Sequence, residues 1–300
     1  MSMQNISLIG CVFFVLTLFS SAAPAQTSVI LLGTGTPFPN PKTAGPATAV
    51  VVGQRVFLFD AGANVMRQIN AAGLPITGPE ATFITHLHSD HTLGYGDLIL
   101  TSWVVRRHTP LQVYGPGGLK KMTNHLLAAY SEDIEIRTRG LEREVGEWLR
   151  VDVHEVTAGV VYNRDGLKVT AVPVPHGSWK FAYAYRVDTP DRSIVISGDT
   201  RPSEKLVEAA KNVDVLVHEV YLAKNVKPEV RPGGELWPQY MREFHTSELE
   251  LGSIAAKANC KLLVMTHVMR FGGSDDELLS GIRKGGFTGN VSVGHDLEHY

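Results

Sequence analysis

Three histidines and one aspartate lie within six residues, as His86, His88, Asp90 and His91. Imidazole nitrogens and carboxylates are the donors that zinc and neighbouring transition metals prefer in proteins. Random placement of the chain's 12 histidines would give this HxHxDH pattern only about one time in a thousand. The β-branched run before it, residues 81–85, predicts a strand that ends at the motif. We therefore expect a metal site at a sheet edge, against the alternative of a solvated histidine-rich turn.

The size and charge of the chain limit its domain organisation and its partners. No long polar or low-complexity tract divides the 300 residues, and 44% of them are hydrophobic, enough for a large core. We predict one catalytic domain over residues 26–300. The formal net charge of -2 gives no global attraction to a polyanion, so nucleic acid is an unlikely partner at this stage.

The first 25 residues have the pattern of a secretory signal peptide, 1–25. The apolar run 6–19, about 14 residues, is short for a membrane span, and small residues at 23–25 suit cleavage. Because residues 1–5 contain no Lys or Arg, an uncleaved membrane anchor is the alternative. Cleavage would give a periplasmic or secreted protein without stable membrane association.

Five more apolar, strand-like runs stop at side chains that can bind a metal or move a proton. The runs end at Asp60, at His176, at Asp199, at His218 with Glu219, and at His267. Helical patterns alternate with them over residues 64–72, 119–130, 202–212 and 247–258. Together these patterns predict an α/β fold in which polar side chains converge on one rim of the sheets.

The converging side chains are enough for two metal ions. We predict that His86, His88 and His176 hold the first ion, that Asp90, His91 and His267 hold the second, and that Asp199 bridges them. Two Zn²⁺ ions suit these donors, and manganese or iron would fit several of them. Taken singly, His176 and His267 could be satisfied buried histidines, and Asp199 could be a turn residue or a helix cap.

Along nearly all of residues 26–300 the chain resembles the metallo-β-lactamase superfamily. The likeness lies in THLHSDH at 85–91, VPVPHG around His176, ISGDT ending at Thr200 and LVMTH ending at His267. The segments GTGTPFP at 33–39, LQVYGPGGL at 111–119, VLVHEV at 215–220 and FHTSE at 244–248 are similar to the ribonuclease Z and arylsulfatase-like branch. The resemblance implies a four-layer αββα sandwich, a dinuclear site at one edge, and a role for Asp60 in orienting a metal-bound histidine.

The predicted site suggests a hydrolase. Two zinc ions would lower the pKa of a shared water to about 7 and so supply a bridging hydroxide, which Asp90 could orient. Glu219 paired with His245 could deliver a proton to the leaving group, as similar residues do in ribonuclease Z. The alternative is that Glu219 merely ends a strand and that His245 caps locally.

The surroundings of the site carry weaker signals. The Pro- and Gly-rich residues 228–238 predict a loop that overhangs the site, with Trp237 shaping a pocket or covering a core edge. The GTG at 33–35 lacks the GK[ST] ending of a phosphate-binding loop and predicts a tight turn.

Because the chain has the pattern of an exported protein and lacks a basic Gly/Pro-rich arm, we expect it to cleave a small anionic ester, either a sulfate ester or a phosphodiester. The alternatives are a β-lactam or lactone hydrolase, a tRNA 3′-processing endoribonuclease, and a metal-binding module without turnover. A homodimer is one assembly that remains open.

Overall fold

Two β-sheets stack face to face in the computed structural model, which describes residues 26–300. The first sheet has the order β1 (Thr27–Gly33), β2 (Ala47–Val52), β3 (Arg55–Phe59), β4 (Ala81–Phe83), β5 (Leu111–Gly115) and β6 (Val151–Glu155). The second has the order β13 (Asn290–Val293), β12 (Leu262–Met269), β11 (Val215–Tyr221), β10 (Ser193–Ile196), β9 (Tyr183–Asp188), β8 (Leu167–Pro173) and β7 (Gly159–Arg164). The expected signal peptide, 1–25, lies outside the described residues.

Helices cover the outer faces of both sheets and the edge between them. They are α1 (Val65–Ala71), α2 (Ser89–Thr92), α3 (Tyr95–Val104), α4 (Leu119–Ala129), α5 (Ser131–Arg139), α6 (Glu204–Ala209), α7 (Trp237–Phe244), α8 (Glu248–Ala258) and α9 (Asp275–Lys284). Side chains of α1 and α3 pack on the first sheet, and those of α6, α8 and α9 pack on the second. Within residues 26–300, none of the helices combines the length and apolar composition needed to cross a bilayer.

An aromatic cluster fills the space between the two sheets. Phe83 of β4 stacks on Phe59 at 4.9 Å between ring centroids and on Tyr114 at 5.1 Å, and Tyr185 from the opposite sheet packs against it at 5.6 Å. This inner core and the two cores beneath the helices separate four layers. The expected αββα metallo-β-lactamase sandwich is therefore confirmed.

Parallel pairing explains why the predicted site residues meet. Strands β3 to β6 run parallel in the first sheet, and β10 to β13 run parallel in the second. Their carboxyl ends consequently lie at one edge of the sandwich, where ligand sites of layered α/β folds form. Asp60 follows β3, the HxHxDH motif follows β4, and Asp199 follows β10.

Two strands continue past the residues at which the sequence pattern ends them. Strand β11 runs through His218 and Glu219, and β12 runs through His267. Glu219 pairs with Thr266 and the next residue of β11 pairs with Val268, so His267 is an extra residue in the ladder. Its φ of 46° is left-handed. Such a β-bulge redirects a side chain, and here it turns the imidazole toward the site.

The helices expected over residues 64–72, 119–130 and 247–258 are confirmed as α1, α4 and α8, whereas the pattern at 202–212 forms only the shorter α6. Ser247 and Glu250 form a capping box, in which the Ser247 hydroxyl accepts the Glu250 N–H and the Glu250 carboxylate accepts the Ser247 N–H. This cap fixes the start of α8 directly after His245.

Replacing Phe83 with alanine removes the central ring of the inner core. Because Phe83 is fully buried between two stacked rings, we expect Phe83→Ala to lower the free energy of unfolding by about 3 to 5 kcal/mol. Urea denaturation of purified variants measures this. Leu141→Ala, at a fully exposed position, should change stability by less than about 0.5 kcal/mol. Equal effects of the two substitutions would contradict the assignment of the inner core.

Candidate metal centre

The structure brings all the predicted metal ligands together in two groups. One comprises His86, His88, His176 and Asp199, and the other comprises Asp90, His91 and His267. Within each group, one donor atom per residue lies within 4.8 Å of all the others. Every member is buried except His88, which is half-buried. The grouping agrees with the predicted partition, while the ligand roles themselves stay predictions.

Asp199 lies between the two groups. One carboxylate oxygen is 3.2 Å from His91 Nε2, and the other is 3.6 Å from His267 Nε2 and 3.8 Å from His86 Nε2. Gly198 makes this placement possible, since its φ is 56° and a Cβ there would lie 2.8 Å from the Cβ of Thr85. Only glycine fits this left-handed turn beside the HxHxDH strand.

Contacts to the Nδ1 atom orient three of the imidazole rings. Nδ1 of His91 donates to Asp60 Oδ2 at 2.7 Å, and Nδ1 of His176 donates to the Phe244 carbonyl at 2.7 Å. Nδ1 of His86 lies 3.0 Å from the Thr85 hydroxyl. Each contact leaves Nε2 directed into the site, as in histidines that bind metals. Asp60 has the orienting contact that the family resemblance implies for it.

Several buried side-chain nitrogen and oxygen atoms of the centre have no hydrogen-bond partner among the described residues. They include His267 Nδ1, and also His91 Nε2 and Asp199 Oδ1, which lie 3.2 Å apart but are not aligned for a hydrogen bond. In the first group, His88 Nδ1 faces His86 Nε2 at 2.9 Å and His176 Nε2 at 3.1 Å. Burial lowers the pKa of His88 and of His176 to about 4, so both rings are neutral with lone pairs available. These crowded nitrogens, beside a buried carboxylate, fit metal cations.

Glu219 and His245 meet beside the metal ligands. His245 Nδ1 lies 3.3 Å from Glu219 Oε1, which also accepts the backbone N–H groups of Thr200 and Thr246 at 3.2 and 3.1 Å. Burial raises the pKa of Glu219 well above its usual value, and the charge of Asp199 adds to the rise. His218 instead turns its Nδ1 to the carbonyl of Glu219 and takes no part in this pair.

A cavity of about 250 Å³ opens onto the centre. Its polar wall consists of His88, Ser89, Asp90, Asp199, His245 and His267. The apolar wall consists of Pro37, Phe38, Trp237, Tyr240 and Met269.

Trp237 lines this cavity, which is one of its two predicted roles, and it also packs against a small core cluster; it starts α7 and lies at the end of the predicted loop. Its ring stacks on Tyr240 at 4.9 Å. Phe38 and Met269 were not among the residues predicted to line the site. The signal for Phe38 was an apolar aromatic between two prolines in a segment treated only as a turn.

Comparisons with known proteins agree with this geometry. The family model described as "Beta-lactamase superfamily domain" matches residues 55–268. A protein of Mycobacterium bovis named Ribonuclease Z is 34% identical over 277 residues, covering 90% of this chain and 96% of its own. The chain belongs to the metallo-β-lactamase superfamily, in its ribonuclease Z branch. As such it is a metal-dependent hydrolase.

Solved structures support the same fold. The metallo-beta-lactamase fold protein YhfI from Bacillus subtilis has a TM-score of 0.69 at 19% identity, covering 92% of this chain and 99% of its own. The short form of human tRNase Z has a TM-score of 0.67 at 20% identity, covering 91% of this chain and 98% of its own. At these identities the likeness concerns the fold alone.

Membership of this branch corrects two expectations. The preference for a small anionic ester and the expectation that nucleic acid is an unlikely partner are wrong, because the similar curated proteins are named Ribonuclease Z. The physical error was to apply the net charge of -2, an average over the whole chain, to the surface around one site. A phosphodiester site needs only local positive charge.

Replacing Asp60 with asparagine tests how the second group is held. Asparagine tolerates the left-handed backbone of residue 60, where φ is 61°, but it removes the charge that fixes the His91 ring. We expect Asp60→Asn to weaken metal binding by about 10- to 100-fold, measured by competition with a chromogenic chelator. Asp97→Asn, on the exposed side of α3, is the matched control. Unchanged affinity in Asp60→Asn would show that this carboxylate does not support a metal ligand.

Proposed function

We propose that this protein is an endoribonuclease that hydrolyses a phosphodiester bond at the 3′ side of tRNA precursors. The observation that carries the proposal is the 34% identity to Ribonuclease Z, which extends over 90% of this chain and 96% of the relative. The ligand groups and the Glu219–His245 pair lie within the aligned fold and form one buried centre. The name of the human structural neighbour, tRNase Z, supports tRNA as the RNA.

The proposed cofactors are two divalent ions, with zinc favoured by the donor set and manganese or iron as alternatives. His86, His88 and His176 would hold one ion, and Asp90, His91 and His267 the other, with Asp199 between them. When bound, such ions polarise a phosphoryl oxygen and make water acidic enough to attack near neutral pH.

The protein's own groups position the reactants and move protons. Asp90 lines the cavity, and its carboxylate orients the attacking water there. His245 lines the same cavity and, paired with Glu219, delivers a proton to the leaving ribose oxygen. Glu219 holds the His245 ring, while two backbone N–H groups hold Glu219 itself.

Local positive charge near the centre suits an RNA backbone. Lys180 lies over the ring of Phe181 at 5.1 Å, and that ring lies against Gly117. The same turn leads into α4, whose first residues include Lys120 and Lys121. Among the described residues, none of these three exposed lysines has a carboxylate within 4.0 Å. They are therefore free to contact phosphates.

The decisive experiment uses a tRNA precursor with a 3′ trailer and the metal-loaded protein. We expect cleavage that a chelator abolishes, and we expect His245→Ala to lower kcat by about 10²- to 10⁴-fold because the leaving oxygen loses its proton donor. Metal content of His245→Ala should equal that of the unsubstituted protein. His125→Ala, on the exposed face of α4, is the control. Failure of the metal-loaded, unsubstituted protein to cleave any tRNA precursor would overturn the proposal.

The periplasmic or secreted location stays a prediction, because it depends on residues 1–25. Amino-terminal sequencing of the protein purified from its own cells, after fractionation, tests it. A first residue of Gln26 in an exported fraction is the result that the signal pattern predicts, and it would separate the protein from tRNA precursors, which ribonuclease Z processes inside cells. A cytoplasmic protein that begins at the original amino terminus would contradict both the signal peptide and the location.

A further inference from the structure

A second cavity continues from the metal centre. Its volume is about 440 Å³, and it shares Pro37, Phe38 and Asp90 with the cavity that opens onto the ligands. Leu93 and Asn64 also line it. Since Asp90 belongs to the second ligand group, a substrate held at the metals can extend directly into this space.

Exposed apolar side chains mark this second cavity. Phe38 is 59% exposed and Leu93 is 67% exposed, although both are large hydrophobic residues. Pro37 and Pro39 flank Phe38 and restrict its backbone. Large apolar groups held in solvent beside a site are typical of binding surfaces.

One carboxylate clamps the loop that carries Phe38. Asp296 accepts the Thr34 N–H and hydroxyl, both at 2.8 Å, and the Ala44 N–H at 2.6 Å, so it ties both ends of loop 34–44. Gln68 of α1 donates to the same carboxylate at 2.9 Å. Directly after this loop, the backbone of Gly45 packs closely against that of Ala63, since a Cβ on Gly45 would lie 2.5 Å from Ala63 N.

This clamp holds both ends of loop 34–44 before substrate arrives, and the two flanking prolines restrict the backbone that carries the Phe38 ring. A preorganised group loses little conformational freedom on binding, so its contact contributes more to affinity.

We propose that Phe38 is the stacking platform for the nucleobase of a nucleotide next to the scissile phosphodiester. This inference rests on the proposed function, in which the substrate is RNA. A base has two apolar faces and a polar edge, which suits a cavity with Phe38 and Leu93 as apolar surfaces and Asn64 at its rim. The Asn64 side chain has no hydrogen-bond partner among residues 26–300 and is available to a base edge. Stacking on an aromatic side chain accepts every base, as a processing enzyme with varied trailers requires.

The test compares Phe38→Ala with Phe38→Tyr on two tRNA precursors. One has a normal base beside the scissile bond, and the other has an abasic residue there. The abasic precursor is made in two forms, with the abasic residue on the 5′ side or on the 3′ side of that bond. We expect Phe38→Ala to lower kcat/KM on the normal precursor by about 5- to 150-fold, and Phe38→Tyr to keep most of the activity. On one of the two abasic precursors, the one that lacks the stacked base, Phe38→Ala and the unsubstituted protein should have the same kcat/KM, since the stacking partner is already missing.

The controls separate stacking from damage to the fold or the centre. Metal content should be unchanged in Phe38→Ala, and Leu141→Ala, a fully exposed apolar residue, should cleave normally. An equal loss for Phe38→Ala on normal and on both abasic precursors would overturn the inference. So would a loss that follows a change in oligomeric state, measured by sedimentation, because the ring would then be an interface residue.

A binding measurement keeps this inference separate from the proposed function. RNA with 2-aminopurine beside the scissile bond should lose fluorescence on binding the unsubstituted protein, because a stacked 2-aminopurine is quenched, and should lose less on binding Phe38→Ala. If the metal-loaded protein does not cleave tRNA precursors, the proposed function fails while this titration still decides about Phe38. Identical quenching by both proteins would overturn the inference that Phe38 stacks on a nucleobase.

Discussion

The buried carboxylate of Asp199, surrounded by imidazoles, is the constraint on which the rest of the site depends. Each buried polar atom left without a partner costs about 1 to 3 kcal/mol, and the centre holds several. The fold also adopts left-handed backbone at Asp60 and His267 to aim side chains there, at about 1 to 3 kcal/mol for each residue. Cations at the centre would offset these costs, because they pair with the same atoms. The parallel strands, the turn at Gly198 and the bulge at His267 all serve this convergence.

The convergence of these side chains and the layers of the fold could be predicted from the sequence, because both leave local signals. HxHxDH is a compact motif, and apolar runs that stop at Asp60, His176 and Asp199 mark strand ends without any knowledge of pairing. The bulge at His267 could not be read in this way, since it arises from the register of β12 against β11. The role of Asp296 was equally hidden, because this residue meets Thr34 only after the whole sandwich has closed.

The substrate was predicted wrongly for a related reason. Net charge is a sum over the whole chain, whereas RNA contacts a surface, and the exposed Lys120, Lys121 and Lys180 flank the contact between Gly117 and Phe181. The loop carrying Phe38 adds an apolar surface to the same mouth. The exposed lysines, the aromatic ring and the similarity to proteins named Ribonuclease Z support the proposal that the substrate is a nucleotide chain.

Anomalous diffraction at the zinc edge, from crystals of the zinc-loaded protein, would test the central claim most directly. Two peaks are expected in each molecule. One should lie among His86, His88 and His176, the other should lie among Asp90, His91 and His267, and Asp199 should contact both. A single peak, or two peaks of which neither lies beside Asp199, would contradict a two-ion centre built around this carboxylate.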